Sequence, residues 1–256
     1  MPPSRFPLSA VLITLDCAGP LAATLDSLVF CDEILVVDSG SRDGTVELAR
    51  ARGARVLPAE WRGFGPQKQY AVGQARHDWV LCVDSDERVS DELRAGIEAA
   101  LVAPTHAAYE FARCNRFLGR YLRHGEGYPD WSLRLFDRRH ARWSDDPVHE
   151  KVLADAPPGR IAGDLLHDSA ETLERYRAKQ DRYTTLAAQA LLARGARAGP
   201  ARMLLSPLVR FLKFYLLRRG FLDGRAGLLH ILIGCRTSYD KYAKLRRLRK
   251  AGGEVG

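Results

Sequence analysis

The chain has no Cys-x-x-Cys pair, and its five cysteines, Cys17, Cys31, Cys82, Cys114 and Cys235, are odd in number and scattered. That argues against a disulfide framework or a cysteine zinc site and predicts reduced thiols in cytoplasm. No uninterrupted apolar stretch reaches the roughly 20 residues needed to span a bilayer. The first seven residues carry three prolines, and the next apolar stretch, Leu8 to Leu15, is strand-sized, so no secretory leader is expected. There is no internal repeat and no low-complexity tract. No Gly-x-Gly-x-x-Gly follows the first apolar run. That turn reads Asp16-Cys17-Ala18-Gly19-Pro20, which weakens a dinucleotide-binding reading. What remains is a 256-residue chain, 46% hydrophobic and 27% charged, long enough for one large α/β domain with an appendage.

The net charge of +8 is unevenly placed. Arg202 to Lys250 holds 13 Lys/Arg against 2 Asp/Glu, and the rest of the chain holds 26 against 29. Basic excess confined to one segment predicts an anionic partner surface, membrane or nucleic acid. Between Arg202 and Leu217 the apolar residues include Leu204, Leu205, Leu208, Val209, Phe211 and Leu212, while Arg202, Ser206, Arg210 and Lys213 recur at helical spacing on a narrower face. This is the pattern of a basic amphipathic helix in a bilayer interface. The alternative is a helix packed on the main domain. Nucleic acid is disfavoured, because the apolar residues are mostly aliphatic and offer no stacking platform.

Strand and helix signals alternate over the first hundred residues. Strands are predicted at Leu8–Leu15, Glu33–Val37, Arg55–Leu57 and Asp78–Val83. Helices are predicted at Pro20–Leu28, Thr45–Arg52, Pro66–Ala75 and from Ser90-Asp91-Glu92 to Val102. Such repetition implies a mostly parallel sheet with helices on both faces. Further strands are expected at Ala107–Phe117 and Ser132–Asp137, then a helix from Ala170 to Arg194. The resulting division is residues 1–198 as the main domain, with a nucleotide-binding half 8–103 and an acceptor half 104–198, and residues 199–256 as a helical basic segment.

Open α/β sheets bind ligands at the C-terminal ends of their strands. There the chain places Asp16, Asp38 and the pair Asp84 and Asp86 in Asp84-Ser85-Asp86-Glu87. Two carboxylates two residues apart face one cleft and repel each other unless a divalent cation carrying a diphosphate lies between them. An acidic helix N-terminus is the plainer alternative. Asp43 and Thr45 serve equally as caps of the following helix, with Asp43 a nucleotide ligand otherwise.

The run Asp38-Ser39-Gly40-Ser41-Arg42-Asp43-Gly44-Thr45, then Gln67-Lys68-Gln69, then Asp84-Ser85-Asp86 resembles the family 2 glycosyltransferases of GT-A fold. Thr14-Leu15-Asp16 departs from a frequent Asn-Glu after Thr, and Ser39 replaces a frequent second Asp, which leaves Asp38 as the uracil or ribose ligand. Tyr128-Pro129-Asp130-Trp131, Asp145-Asp146-Pro147-Val148-His149-Glu150, Leu166-His167-Asp168 and Gly220-Phe221-Leu222-Asp223-Gly224 are similar to lipopolysaccharide core β-1,4-glucosyltransferases acting on inner-core heptose. The resemblance implies an inverting, metal-dependent transfer of a hexose, glucose from UDP-glucose, to a lipid-linked core oligosaccharide. It implies a peripheral protein on the cytoplasmic face of the inner membrane. It implies Mg²⁺ or Mn²⁺ on Asp84, Asp86 and His167, with His167 alternatively a core histidine. Donor contacts would come from Asp16, Asp38, Asp43, Lys68, Asp84 and Arg134, with Lys68 and Arg134 alternatively on an acceptor phosphate or solvated. Glu150 is the candidate base, with Asp146 and Asp130 in reserve. Competing readings are a transferase of the same fold acting on another polysaccharide or a protein, and an inactive scaffold at the membrane.

Overall fold

The computed structural model describes residues 5–146, 150–168, 172–196 and 199–253. They form two compact units, residues 1–114 with 130–168 and residues 115–129 with 169–256.

In the first unit β1 (Leu8–Thr14), β2 (Glu33–Asp38), β3 (Arg55–Pro58) and β4 (Trp79–Cys82) are joined by helices α1 (Ala18–Asp26), α2 (Thr45–Ala51) and α3 (Phe64–Gln74). These four strands are parallel in the order β3-β2-β1-β4. Side chains alternate across the sheet with the period of two that strands impose. Leu8, Ala10 and Leu12 pack with Leu21 and Leu25 of α1 and with Leu93, Ile97 and Leu101 of α4 (Asp91–Val102). Val11, Val80 and Cys82 pack on the other face with Ala71 and Val72 of α3. Both faces are covered, which is why these strands read as continuous apolar runs.

Past β4 the sheet changes direction. It continues through β8 (Asp130–Asp137), β6 (Ala108–Phe117), β11 (Gly159–His167) and β5 (Glu87–Val89), with β8 antiparallel to both β4 and β6 and β11 antiparallel to β5. The sheet is therefore mixed: β3-β2-β1-β4 is parallel, and β8 runs antiparallel to its neighbours as β11 does to β5. β11, β5 and the small hairpin of β9 (Ala141–Trp143) and β10 (Val152–Ala154) were not expected from the sequence. Gly163 lets β11 press against α4: it sits at φ +101°, and a Cβ there would lie 2.3 Å from the Leu93 amide nitrogen. Ser90 caps α4, its hydroxyl accepting from the amides of Leu93 and Asp164.

The second unit contains α5 (Leu173–Ala193), α6 (Pro200–Phe211), a π-helical stretch Leu212–Leu217, a short 3₁₀ turn Gly220–Asp223 and a 30-residue helix α7 (Gly224–Gly253). The two-residue strand β7 (Arg120–Tyr121) pairs with the end of β6 in the same unit. The boundary differs from the expected break at residue 198, and the reason is packing. α5 docks on α7, with Lys244 Nζ donating to the Asp181 side chain and to both Thr184 and Thr185 hydroxyls. Segment 115–129 is held by Asp223, which accepts from the amides of Arg123 and His124.

Candidate active site

The acids at the end of β4 sit in a built electrostatic network. Asp84 accepts from Arg134 Nη2 of β8 at 2.9 Å and pairs with Lys68 Nζ of α3 at 3.0 Å. Lys68 also reaches Glu150 Oε1 at 2.9 Å. Both cations lie over the indole of Trp143, at 4.7 and 5.4 Å from the ring. An aromatic face stabilises a desolvated cation, so Trp143 helps to keep Lys68 and Arg134 buried at 7% and 8% exposure. Burial opposes ionisation of Asp84, but Arg134 and Lys68 outweigh it and hold its carboxyl well below the usual range. Burial likewise opposes the charge on Arg134, and Asp84 and Glu87 outweigh it, raising its pKa. Beneath them burial pushes the Cys82 thiol up to about 11 against a hydrogen bond from Trp143 Nε1.

Glu87 is fully buried and fixes the turn. Its carboxylate accepts from the Asp84 amide at 2.9 Å and from Arg113 Nε at 2.5 Å, while the Glu87 amide donates back to the Asp84 carbonyl. Asp86 faces a different partner. β5 begins one residue later, and its pairing sets Glu87 opposite His167. The register brings His167 Nε2 to 3.2 Å from Asp86 Oδ2.

Among the described residues no group of three metal-ligating side chains is already gathered. The donor set nevertheless fits a divalent cation that takes its remaining oxygens from a diphosphate. Asp86 and His167 supply one carboxylate and one imidazole, a pair suited to Mn²⁺ more than Mg²⁺. Lys68, Arg113 and Arg134 stand against Asp84, Asp86, Glu87 and Glu150, so the cluster carries one excess negative charge with His167 neutral.

A cavity of about 500 Å³ opens over this network, lined by Lys68, Asp84, Asp86, Glu150 and His167, with the indole of Trp61 and the ring of Phe64 at its edge. A second cavity, about 300 Å³, is lined by Trp131, Arg134, Trp143, Lys151 and again Glu150. Glu150 thus faces both. Asp130 and Asp146 are exposed and line neither cavity. His149, with Pro147 and Val148, lies outside the described residues.

The acids of the first two strand ends are engaged with the chain itself. Asp38 is 4% exposed and accepts from the Thr14 hydroxyl, the Gly40 amide and both the amide and the hydroxyl of Ser41. Burial would raise its pKa, but these donors lower it. Asp16, at φ +47°, accepts from the Arg42 amide. Asp43 accepts from the amides of Ala18 and Thr45 and from the Thr45 hydroxyl, which is the capping alternative. The three carboxylates shape the loop between β2 and α2, with Thr14 at the cavity wall.

Sequence reasoning passed over five contributing residues: Glu87, Arg113, Trp143, Trp61 and Phe64. Glu87 stood in the quoted acidic run. Its buried role needs Arg113 and Arg134, which come from other strands.

Residues 9–153, more than half of the chain, match the family described as Glycosyl transferase family 2. The chain belongs to glycosyl transferase family 2. The matched span contains Lys68, Asp84, Asp86, Arg134 and Glu150. The chain is 28% identical over 254 residues to the lipopolysaccharide core biosynthesis glycosyltransferase LpsC of Rhizobium meliloti (strain 1021), covering 93% of this chain and 94% of that one. It is 27% identical to an uncharacterized glycosyltransferase of Rickettsia typhi (strain ATCC VR-144 / Wilmington), covering 94% and 87%. Among solved structures, the mannosyltransferase PcManGT of Pyrobaculum calidifontis, in complex with GDP-Man and Mn²⁺, superposes with a TM-score of 0.50 at 18% identity over 99% of this chain and 81% of that one. The fold of this transferase is GT-A.

Proposed function

We propose that the protein is an inverting, metal-dependent hexosyltransferase that moves glucose from UDP-glucose to inner-core heptose of lipopolysaccharide. The observation that carries this reading is Glu150: one carboxylate lines both the larger cavity, with the paired acids, and the smaller one. The lipopolysaccharide-core relative and the quoted motifs support the choice of acceptor. In this reading the donor occupies the larger cavity, within the 300–1,000 Å³ usual for small ligands, and the acceptor sugar occupies the smaller one beside Trp131.

The reaction is a single displacement. The acceptor oxygen forms a bond to the anomeric carbon as the bond from that carbon to the diphosphate oxygen breaks, and the acceptor proton passes to Glu150. Lys68 holds Glu150 in place and Arg134 holds Asp84. Asp86 with His167, assisted by Asp84, would hold a divalent cation, Mg²⁺ or Mn²⁺, which would supply positive charge against the departing diphosphate. Work on a lipid-linked acceptor places the protein peripherally at the cytoplasmic face of the inner membrane. Among the described residues no helix is long and apolar enough to cross a membrane.

The test is acceptor-dependent UDP release by the purified protein, using a panel of nucleotide sugars and a heptose-containing core lipid, with and without chelator. Asp86→Ala should abolish transfer and metal-dependent UDP binding while the melting temperature holds. Full activity in excess chelator sinks the metal role; transfer to other acceptors in preference to heptose sinks the acceptor assignment.

A further inference from the structure

Helix α6 turns its polar stripe inward. Arg202, Ser206 and Arg210 recur every four residues and so share one side of the helix. Ser206 Oγ lies 2.8 Å from Ser238 Oγ of α7, the Arg210 guanidinium pairs with Glu126, and Arg202 lies over the Tyr242 ring at 5.4 Å. Of the four residues in the expected polar stripe, Arg202, Ser206 and Arg210 therefore contact their own unit, whereas Lys213 is exposed.

The opposite side is apolar and open. Leu204, Leu205, Leu208 and Val209 are 53–63% exposed, and Leu212, Leu216 and Leu217 continue the surface through the π-helical stretch at 43, 50 and 80%. No residue of α6 is buried. Contiguous exposed leucines of this kind mark an interaction site.

Charge identifies the occupant. Residues 199–222 contain no Asp or Glu. The next acid, Asp223, is 2% exposed and bound to the amides of Arg123 and His124. Around the leucines Lys213, Arg218, Arg219 and Arg225 are exposed. A second copy of the chain would set these cations against their own equivalents across a two-fold axis, a repulsive arrangement. An anionic bilayer offers acyl chains to the leucines and phosphates to the cations.

We propose that the Leu204–Leu217 face lies in the surface of an anionic membrane, with its leucines among the acyl chains and Lys213, Arg218, Arg219 and Arg225 at the headgroups. This deepens the membrane location proposed above and rests on it only for the biological setting; the surface stands whatever sugar is transferred.

Co-sedimentation of the full chain with phosphatidylcholine vesicles, with and without phosphatidylglycerol, tests it. The wild type should bind the anionic vesicles more tightly. Leu208→Glu with Leu212→Glu should lower that partition by about tenfold or more, since both positions are exposed and the substituted side chains resist insertion. Lys213→Glu with Arg219→Glu should remove the preference for anionic lipid. Far-ultraviolet circular dichroism and UDP binding should be unchanged in both variants. Unchanged partition of the leucine variant overturns the proposal. So does a wild-type dimer that the same variant converts to monomer, because the face then belongs to a second copy. Vesicle binding without transferase activity would leave the surface standing and defeat the proposed reaction.

Discussion

Glu150→Gln separates the base from the scaffold. The Glu150 side chain is 18% exposed and is held by Lys68 at 2.9 Å. Glutamine keeps its length and an oxygen that still accepts from Lys68, but it has no basic site for the acceptor proton. Loss of a positioned general base slows the chemical step by about 10²–10⁴-fold. At 1.36 kcal/mol per tenfold, that is about 3–5 kcal/mol of transition-state stabilisation. Folding should change far less. Lys68 keeps Asp84 at 3.0 Å, and exchanging one charge-assisted hydrogen bond for a neutral one costs about 1 kcal/mol. The assay is steady-state transfer at saturating donor, with donor affinity measured by titration and stability by thermal melting. kcat should fall by at least about 10²-fold with donor Kd and Tm nearly constant. Asp130→Asn and Asp146→Asn should stay close to wild type, because both side chains are exposed and away from the two cavities. A kcat within about threefold of wild type refutes the assignment. A donor Kd that rises as much as kcat falls refutes it too, since Glu150 would then act only by placing Lys68.

Three further outcomes follow from the same geometry. Asp84→Asn removes the anion shared by Lys68 and Arg134 and should cost about 2–3 kcal/mol by urea denaturation, below the full penalty for breaking a buried pair because Glu150 and Glu87 remain; Asp86→Asn, a third exposed, should cost under about 1 kcal/mol, and equal costs would contradict the network. Asp38, Asp84, Asp137 and Glu33 all have carboxyls lowered from their ordinary 3.8 or 4.5, so the unfolded chain takes up protons first as pH falls; their stabilisation is complete above about pH 5 and is lost through and below pH 4, and a urea midpoint flat from about pH 5 to 3 would refute this. Gly65→Ala would set a Cβ 2.2 Å from the Ser144 carbonyl and 2.7 Å from that of Asp146; it should cost about 1–3 kcal/mol and lower kcat through displaced Glu150, whereas wild-type kinetics would show that the seat of Ser144 and Asp146 on α3 does not position Glu150.

The parallel half of the sheet was legible because burial on both faces writes apolar runs into the sequence. The strand expected at Glu33–Val37 is found at Glu33–Asp38, and the helix expected to close at Val102 does so. The antiparallel half was not. β5 is three residues, two of them charged, and its partner β11 lies some seventy residues away with a glycine at positive φ in its middle. Without that pairing no local signal joins Asp86 to His167. Lys68 and Arg134 were read as diphosphate or acceptor-phosphate ligands or solvated ends, because their ion pairs with Asp84, Glu87 and Glu150 and the indole of Trp143, from the unforeseen hairpin, all come from distant parts of the chain. The α6 pattern showed two faces at a 3.6-residue period. Periodicity does not say which face turns inward; Glu126 and Ser238, distant in sequence, decide that.

The charge balance of the cleft ties the paired acids to the proposed donor. Three cations and four carboxylates leave one excess negative charge where a nucleoside diphosphate would add about two more. Two like charges at 4 Å oppose each other by about 4 kcal/mol at an effective dielectric of 20. Lys68 and Arg134 do not offset this freely, because each already serves Asp84, and Lys68 also serves Glu150. Their pairing holds the Asp84 carboxyl well below the usual range and fixes the Glu150 side chain beside it. On the proposed reading, attraction of the diphosphate would then be left to a divalent cation held by Asp86 and His167. Such a cation reverses the excess to one positive charge, so donor and cation each raise the affinity for the other by the same factor. On the proposed reading the network divides two tasks: Lys68 and Arg134 fix the acids in place, and the cation held at Asp86 and His167 would carry the substrate charge.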